Sequence, residues 1–210
     1  MERFERFRAE LQVLCPFTIR YKEEAWEMQI LQALIGWFCP GFLSRFTTVI
    51  GRTIYFPNRA YIERNPEAAM RILAHEAVHL SDAAKISWPL FAVAYLFPQI
   101  LAVGVFSFPW LGPWALLFLL FLLPIPSPTR ARYESRAYAI DLLTHHPDVH
   151  HQILAHATAQ FEGWNYYKMY PFPEAAAEQI EYWAKNIESG EEQALLNILL
   201  VYEWVVETEV

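Results

Sequence analysis

The chain has 210 residues and a formal net charge of −7 at neutral pH, which argues against a nucleic-acid partner. Its composition is 55% hydrophobic and only 19% charged, which is apolar for a soluble domain. This length is sufficient for one substantial core, so we expect a single domain over residues 1–210. The two cysteines, Cys15 and Cys39, lie outside any C-x-x-C motif, which favours buried thiols over a disulfide.

The N-terminal segment predicts short helices and a strand. Its first residues are charged and lack the apolar core of a secretory signal. Phenylalanine and leucine then recur at helical spacing, which predicts an amphipathic helix over residues 2–14. Residues 17–21 have the composition of a strand. A second helix is expected from Glu23 to Phe38, where Cys39-Pro40-Gly41 ends it.

Two β-branched and aromatic runs follow, over residues 47–50 and 53–58, with Gly51 between them. They predict a small sheet, as a strand or a tight hairpin. In a peptidase, the free edge of such a strand can pair with an extended peptide. A plain structural strand fits the same residues equally well.

The next predicted helix contains the motif H-E-x-x-H, from His75 to His79. Asn65 is a suitable N-cap and Pro66 a suitable first residue, so the motif is expected to lie on a helix. His75 and His79 then lie on one face, one turn apart, where two imidazoles can hold one zinc ion. Glu76 points about a quarter turn away, and it can act as a general base on water at the metal.

The alternative for this motif is an ordinary helix with two incidental histidines. The context favours the metal site, because the helix is capped and its other face is apolar. That face comprises Met70, Leu73, Ala77 and Leu80.

No charged residue occurs from Ile86 to Thr129, which predicts a hydrophobic helical hairpin inserted over residues 86–129. Its first arm covers residues 88–106 and its second covers residues 110–123. Basic residues lie at both ends of the uncharged run, with Lys85 before it and Arg130, Arg132 and Arg136 after it. By the positive-inside rule, we expect an integral membrane protein whose zinc helix faces the cytoplasm. The alternative is a hairpin buried against other subunits of a large assembly, such as a virion.

A helix that begins at Ser127 or Thr129 and stops near Pro147 follows the hairpin. Glu134 on this helix is the candidate third ligand, since two histidines and a glutamate leave a fourth position on zinc for water. The alternative is a solvated carboxylate paired with Arg130 or Arg136.

H-E-x-x-H, a hydrophobic hairpin and then E-x-x-A resemble the HtpX-like and CAAX-prenyl-protease-like membrane metallopeptidases. These are gluzincins, and their soluble relatives include the minigluzincins. The resemblance covers roughly residues 45–145. It implies zinc ligands at His75, His79 and Glu134, a base at Glu76, and hydrolysis of peptide bonds.

Those families usually have an aspartate directly after the alanine of E-x-x-A, where this chain has Tyr138. The nearest acids are Asp82 and Asp141. Either can orient a ligand imidazole through its second ring nitrogen.

A peptidase of this kind also needs a donor for the developing oxyanion. The candidates are Arg136, three tyrosines and five later histidines, of which none is singled out. These are Tyr133, Tyr166, Tyr167, His145, His146, His150, His151 and His156. A second metal site among the histidines is disfavoured, because Pro147 interrupts any shared helix and no suitable acid accompanies them.

Three further helices are predicted over residues 148–161, 173–189 and 191–207. The whole pattern indicates a mainly helical α+β fold and a membrane-associated zinc metalloendopeptidase acting on a peptide or protein substrate. A different class of function is the alternative: a structural component of an assembly, for example a virion, that retains a metallopeptidase-like fold.

Overall fold

The computed structural model describes residues 1–36, 42–45, 47–164 and 168–208. The fold is mainly helical, at 75%, with one small mixed sheet, which confirms the predicted mainly helical α+β class. The strands are β1 (Thr18–Tyr21), β2 (Thr48–Ile50) and β3 (Thr53–Phe56). The helices are α1 (Glu2–Leu14), α2 (Trp26–Ile35), α3 (Phe42–Arg45), α4 (Arg59–Arg64), α5 (Pro66–Ile86), α6 (Trp88–Leu96), α7 (Phe108–Leu111), α8 (Pro128–Leu143), α9 (His150–Glu162), α10 (Pro173–Glu188) and α11 (Gln193–Glu207). Short 3₁₀-helices cover Gln99–Ser107, Gly112–Leu122 and Pro147–Val149.

The sheet has the strand order β1-β3-β2. β2 and β3 form the predicted hairpin, and Gly51 makes its turn with a positive φ of 62°. β1 pairs in parallel with β3, with Ile19 opposite Ile54. β2 is therefore an edge strand of this sheet within the described residues.

Helix α5 is the centre of the helical layer, where it packs against α1, α6, α8 and α11. It begins as predicted: the Asn65 side chain accepts a hydrogen bond from the Ala68 backbone N–H at 3.0 Å, and Pro66 follows the cap. Ala74 and Ala77 on α5 and Ala137 on α8 are fully buried. Small side chains on both helices allow a close approach of the two backbones.

Several predicted boundaries differ from the structure. Helix α2 begins at Trp26, because residues 22–24 form a turn after β1. The proposed stop at Cys39-Pro40-Gly41 lies outside the described residues. A short 3₁₀-helix precedes α9 after Pro147, and the last helix begins at Gln193.

The uncharged run does not form two simple arms. Its first part, α6, packs on α5 and α8, and the chain leaves the helical conformation at Phe97, before Pro98. Residues 99–122 then form what we call the apolar hairpin: two 3₁₀-helices that lie side by side and are joined by α7. Gly104 lies so close to the Phe118 ring that a Cβ atom would come within 2.4 Å of it.

Among the described residues, Gln99–Leu122 is the one helical stretch long and apolar enough to cross a membrane. It has 24 residues and a mean hydropathy of 1.9, and only 6% of its most apolar window is buried. At about 2.0 Å per residue, however, each half of the hairpin is roughly 20 Å long. The folded hairpin is thus shorter than the hydrocarbon core of a bilayer, which is about 30 Å thick.

A buried ion cluster connects α5, α8 and the start of α11. Arg136 donates through Nε to Asp82 at 3.1 Å and through both terminal nitrogens to Glu192 at 2.8 and 2.9 Å. The hydrogen bonds from Arg136 lower the pKa of Glu192, although burial opposes them. Since the folded-state pKa is lowered, this contribution to stability is present at neutral pH and is lost as acid protonates Glu192.

Replacing Arg136 by methionine should lower the free energy of unfolding by about 3–5 kcal/mol, because Asp82 would remain buried without its closest partner. Arg132→Met is a matched control, because Arg132 is exposed on the same helix, and it should cost about 1 kcal/mol or less. Denaturant titration of both variants measures the difference. Equal losses would show that the buried cluster has no special role in stability.

Candidate metal centre

Helices α5 and α8 bring His75, His79 and Glu134 together. The two histidines occupy successive turns of α5, and each Nε2 atom lies 3.7 Å from an oxygen of Glu134, which faces them from α8. One ligand atom from each residue lies within 4.8 Å of the other two. The Glu134 side chain is only 2% exposed, and those of His75 and His79 are 13% and 8% exposed.

This donor set fits a zinc ion. Ligand atoms at about 2.0–2.2 Å from tetrahedral zinc lie about 3.4 Å from one another, close to the spacing found between the carboxylate and the two imidazoles. Glu134 Oε2 is buried and finds no hydrogen-bond donor among the described residues. Burial by itself would raise the pKa of Glu134, but the two imidazoles outweigh it and lower that pKa to about 2. The carboxylate is therefore ionised, as a metal ligand must be.

Asp141 orients the first ligand. Its Oδ2 atom lies 2.7 Å from His75 Nδ1, so the ring donates its Nδ1 proton to Asp141 and keeps Nε2 for the metal position. Burial would lower the pKa of His75, but the Asp141 carboxylate outweighs it and raises that pKa well above its usual value. Tyr138, which replaces the aspartate of the resembling families, packs edge-on against the same ring at 5.1 Å.

His79 is held mainly by aromatic contacts. Its ring centroid lies 6.1 Å from that of Phe91 and 5.9 Å from that of Tyr95, both on α6. Burial lowers the pKa of His79 and so favours its neutral imidazole. Nδ1 of this ring is buried and has no hydrogen-bond partner in the part of the chain that the structure describes.

Asp82, the second candidate for orienting a ligand, makes no hydrogen bond to either histidine, because His75 Nδ1 pairs with Asp141 and His79 Nδ1 has no partner among the described residues. Its carboxylate accepts a hydrogen bond from Arg136 and lies 3.6 Å from Lys85. Arg136 is a stronger partner for Asp82 than a neutral histidine would be, because its guanidinium group is charged and buried. Arg136 is thereby also removed from the candidates for oxyanion stabilisation.

Glu76 lies on the wall of a cleft of about 510 Å³ that also exposes His75 and Asp141. Burial raises the pKa of Glu76 to about 7. A carboxylate with a raised pKa is a stronger base than an ordinary glutamate, which suits the role predicted for it. Other residues line the same cleft: Thr47, Tyr61, Arg71, His145 and His156.

Of the predicted oxyanion donors that the structure describes, only two line the cleft that contains Glu76. His145 and His156 share it with Glu76, whereas Tyr133 packs against Phe91 elsewhere. Tyr166 and Tyr167 lie outside the described residues. Of the remaining histidines, His146 and His151 are exposed and His150 bonds to the His145 carbonyl oxygen at 3.1 Å. Among residues 1–36, 42–45, 47–164 and 168–208, His75, His79 and Glu134 are the only group spaced to hold a metal.

Sequence reasoning missed Tyr95, whose hydroxyl group donates a hydrogen bond to Glu134 Oε1. This residue belongs to α6, at the start of the uncharged run. One signal was available, because a tyrosine in an apolar segment needs a partner for its hydroxyl group. The sequence offers no way to identify that partner, which lies 39 residues further along the chain.

Replacing Asp141 by alanine should weaken zinc binding about 10–100-fold, because His75 loses the group that orients it. Asp82→Ala is the matched control: it should leave zinc affinity unchanged while it lowers stability. Competition with a chromophoric chelator gives both dissociation constants. A larger loss of affinity for Asp82→Ala than for Asp141→Ala would contradict this assignment.

The H-E-x-x-H motif and the later E-x-x-A are the features that this chain shares with the metallopeptidases it resembles. No family model, no curated protein and no solved structure matches the chain. What the centre can do is therefore inferred from its own ligand atoms, their spacing and their burial.

Proposed function

We propose that this protein is a zinc-dependent metallopeptidase of the gluzincin type. One observation carries the proposal: His75, His79 and Glu134 converge at ligand spacing, and the neighbouring Glu76 lines an accessible cleft. Two histidines and a carboxylate leave one coordination position free, which is typical of catalytic rather than structural zinc sites.

A zinc ion held by these ligands would polarise the scissile carbonyl group and acidify water. Glu76 accepts a proton from the attacking water and delivers it to the leaving amine. Burial raises the pKa of Glu76, which makes it a stronger base for the first of these steps. Asp141 keeps His75 in the tautomer that binds metal.

An extended substrate has a place to bind beside this machinery. Thr47, directly before β2, lines the cleft together with His75 and Glu76. The outer edge of β2 pairs with no other strand among the described residues. A peptide added to this edge would lie along the cleft, with backbone hydrogen bonds that do not depend on its sequence.

The apolar hairpin supports membrane association, with the metal centre on the side of its base. Trp110 and Trp114 near its tip are 81% and 74% exposed, and most of its large apolar side chains face outward. An apolar surface of this extent is unfavourable in water and is typical of a membrane or protein contact. Lys85 and Arg130 flank the run, as expected for the cytoplasmic side of a membrane segment.

Replacing Glu76 by glutamine should leave about one zinc ion per chain and lower cleavage of an unfolded protein such as casein by about 10²–10⁴-fold. Glu134→Ala should lose both zinc and cleavage, because it removes a ligand. His146→Ala, at an exposed histidine, is the control that keeps both. Elemental analysis and a cleavage assay on the same samples give the result, and full activity in Glu76→Gln would exclude Glu76 as the base.

The full chain should float with phosphatidylcholine vesicles on a density gradient. A variant with residues 99–122 replaced by a short glycine-serine linker should stay at the bottom and keep its zinc, because the hairpin packs mainly on itself and on α6. If the full chain does not float with the vesicles and is stable only with partner proteins, the result would instead favour a structural role in a larger assembly.

A further inference from the structure

Among the described residues of the uncharged run, Tyr95 is the one that makes a hydrogen bond to a proposed metal ligand. Its hydroxyl group donates to Glu134 Oε1. The adjacent ligand His79 packs edge-on against the Tyr95 ring at 5.9 Å. Tyr95 therefore touches both a carboxylate ligand and an imidazole ligand.

Two side chains pack against the Tyr95 ring, and a hydrogen bond next to it holds the helix in place. Phe91, one turn earlier on α6, lies 5.7 Å away between ring centroids. The guanidinium group of Arg130 lies over the ring, 4.9 Å from its centroid. The neighbouring residue Ala94 accepts a hydrogen bond from the Thr129 hydroxyl at 2.7 Å, which ties α6 to the start of α8.

The two oxygens of Glu134 therefore have different surroundings. Each oxygen lies 3.7 Å from one imidazole nitrogen, Oε1 from His79 Nε2 and Oε2 from His75 Nε2. Oε1 also accepts the Tyr95 hydroxyl, whereas Oε2 is buried and has no hydrogen bond among the described residues. A carboxylate with one oxygen engaged by a donor offers the other oxygen to a cation. A zinc ion bound through Oε2 alone would keep one coordination position open for water, whereas binding through both carboxylate oxygens would fill it.

We propose that Tyr95 is a positioning residue of the metal centre, which holds Glu134 so that it binds zinc through Oε2 alone. The inference rests on the zinc site proposed above. It also gives α6 two roles, because this helix both supports the metal ligands and leads into the apolar hairpin. Ligand geometry and hairpin placement are thereby linked through one short helix.

The test uses Tyr95→Phe in the full chain, which removes the hydroxyl group and keeps the ring. Tyr133→Phe is the matched control, because Tyr133 packs against the same Phe91 ring at 4.8 Å but makes no hydrogen bond to Glu134. Zinc affinity is measured by chelator competition, and coordination by the visible absorption of the cobalt(II)-substituted protein. The unfolding midpoint of each metal-free variant reports its stability separately from metal binding.

We expect Tyr95→Phe to weaken zinc binding about 10–100-fold, as for other groups that orient a ligand. Its cobalt absorption should lose intensity, because a carboxylate free to bind through both oxygens raises the coordination number. Tyr133→Phe should match the parent in both measurements. The metal-free midpoint of Tyr95→Phe should fall below that of Tyr133→Phe, because the buried Glu134 carboxylate loses its hydrogen bond.

A parent chain that binds metal, with the same affinity and the same cobalt spectrum in Tyr95→Phe, would overturn this proposal and leave the metallopeptidase proposal standing. A lower unfolding midpoint in Tyr95→Phe, with affinity and spectrum unchanged, would also overturn it and assign Tyr95 to packing only. A parent chain that binds neither zinc nor cobalt would overturn both proposals together.

Discussion

The arrangement of this protein around α5 and α8 depends on how the buried Glu134 carboxylate is compensated. An ionised carboxylate that is 2% exposed is costly unless opposite charge or hydrogen bonds surround it. Two imidazoles approach from α5 and one hydroxyl group approaches from α6, while fully buried alanines on α5 and α8 let the helices come close. A cation among these groups would complete the compensation. The close approach of α5 and α8 thus serves both the packing of the two helices and the compensation of the Glu134 charge.

The centre has two different sides. On the side of His75, an open cleft exposes Glu76 and Asp141 near the edge strand β2, which suits an extended substrate in water. On the side of His79, the aromatic residues of α6 cover the ligand and continue into the apolar hairpin. Under the proposed function, the substrate would enter on the first side and the membrane would lie on the second. An enzyme so arranged would cleave peptides that lie beside a membrane rather than within it.

Acidic residues near a metal motif are not interchangeable. Asp82 and Asp141 were equal candidates for orienting a ligand histidine, yet only Asp141 contacts one. Asp82 lies on the same helix as both histidines, but Arg136 binds it in a buried cluster with Glu192. Tyr138 takes the position where the resembling families carry an aspartate, and Asp141 on the same helix orients His75 instead.

The sequence by itself determined the features that depend on neighbouring residues. The cap at Asn65, the spacing of His75 and His79 and the turn at Gly51 follow from local backbone geometry, and the structure has all three. The tertiary structure decided which acid faces His75, which hydroxyl group faces Glu134 and where the uncharged run breaks. Those contacts join residues 66 and 39 positions apart, and no local spacing encodes them. They arise only when α5, α6 and α8 pack, because burial favours the pairing of polar groups that the fold brings close together.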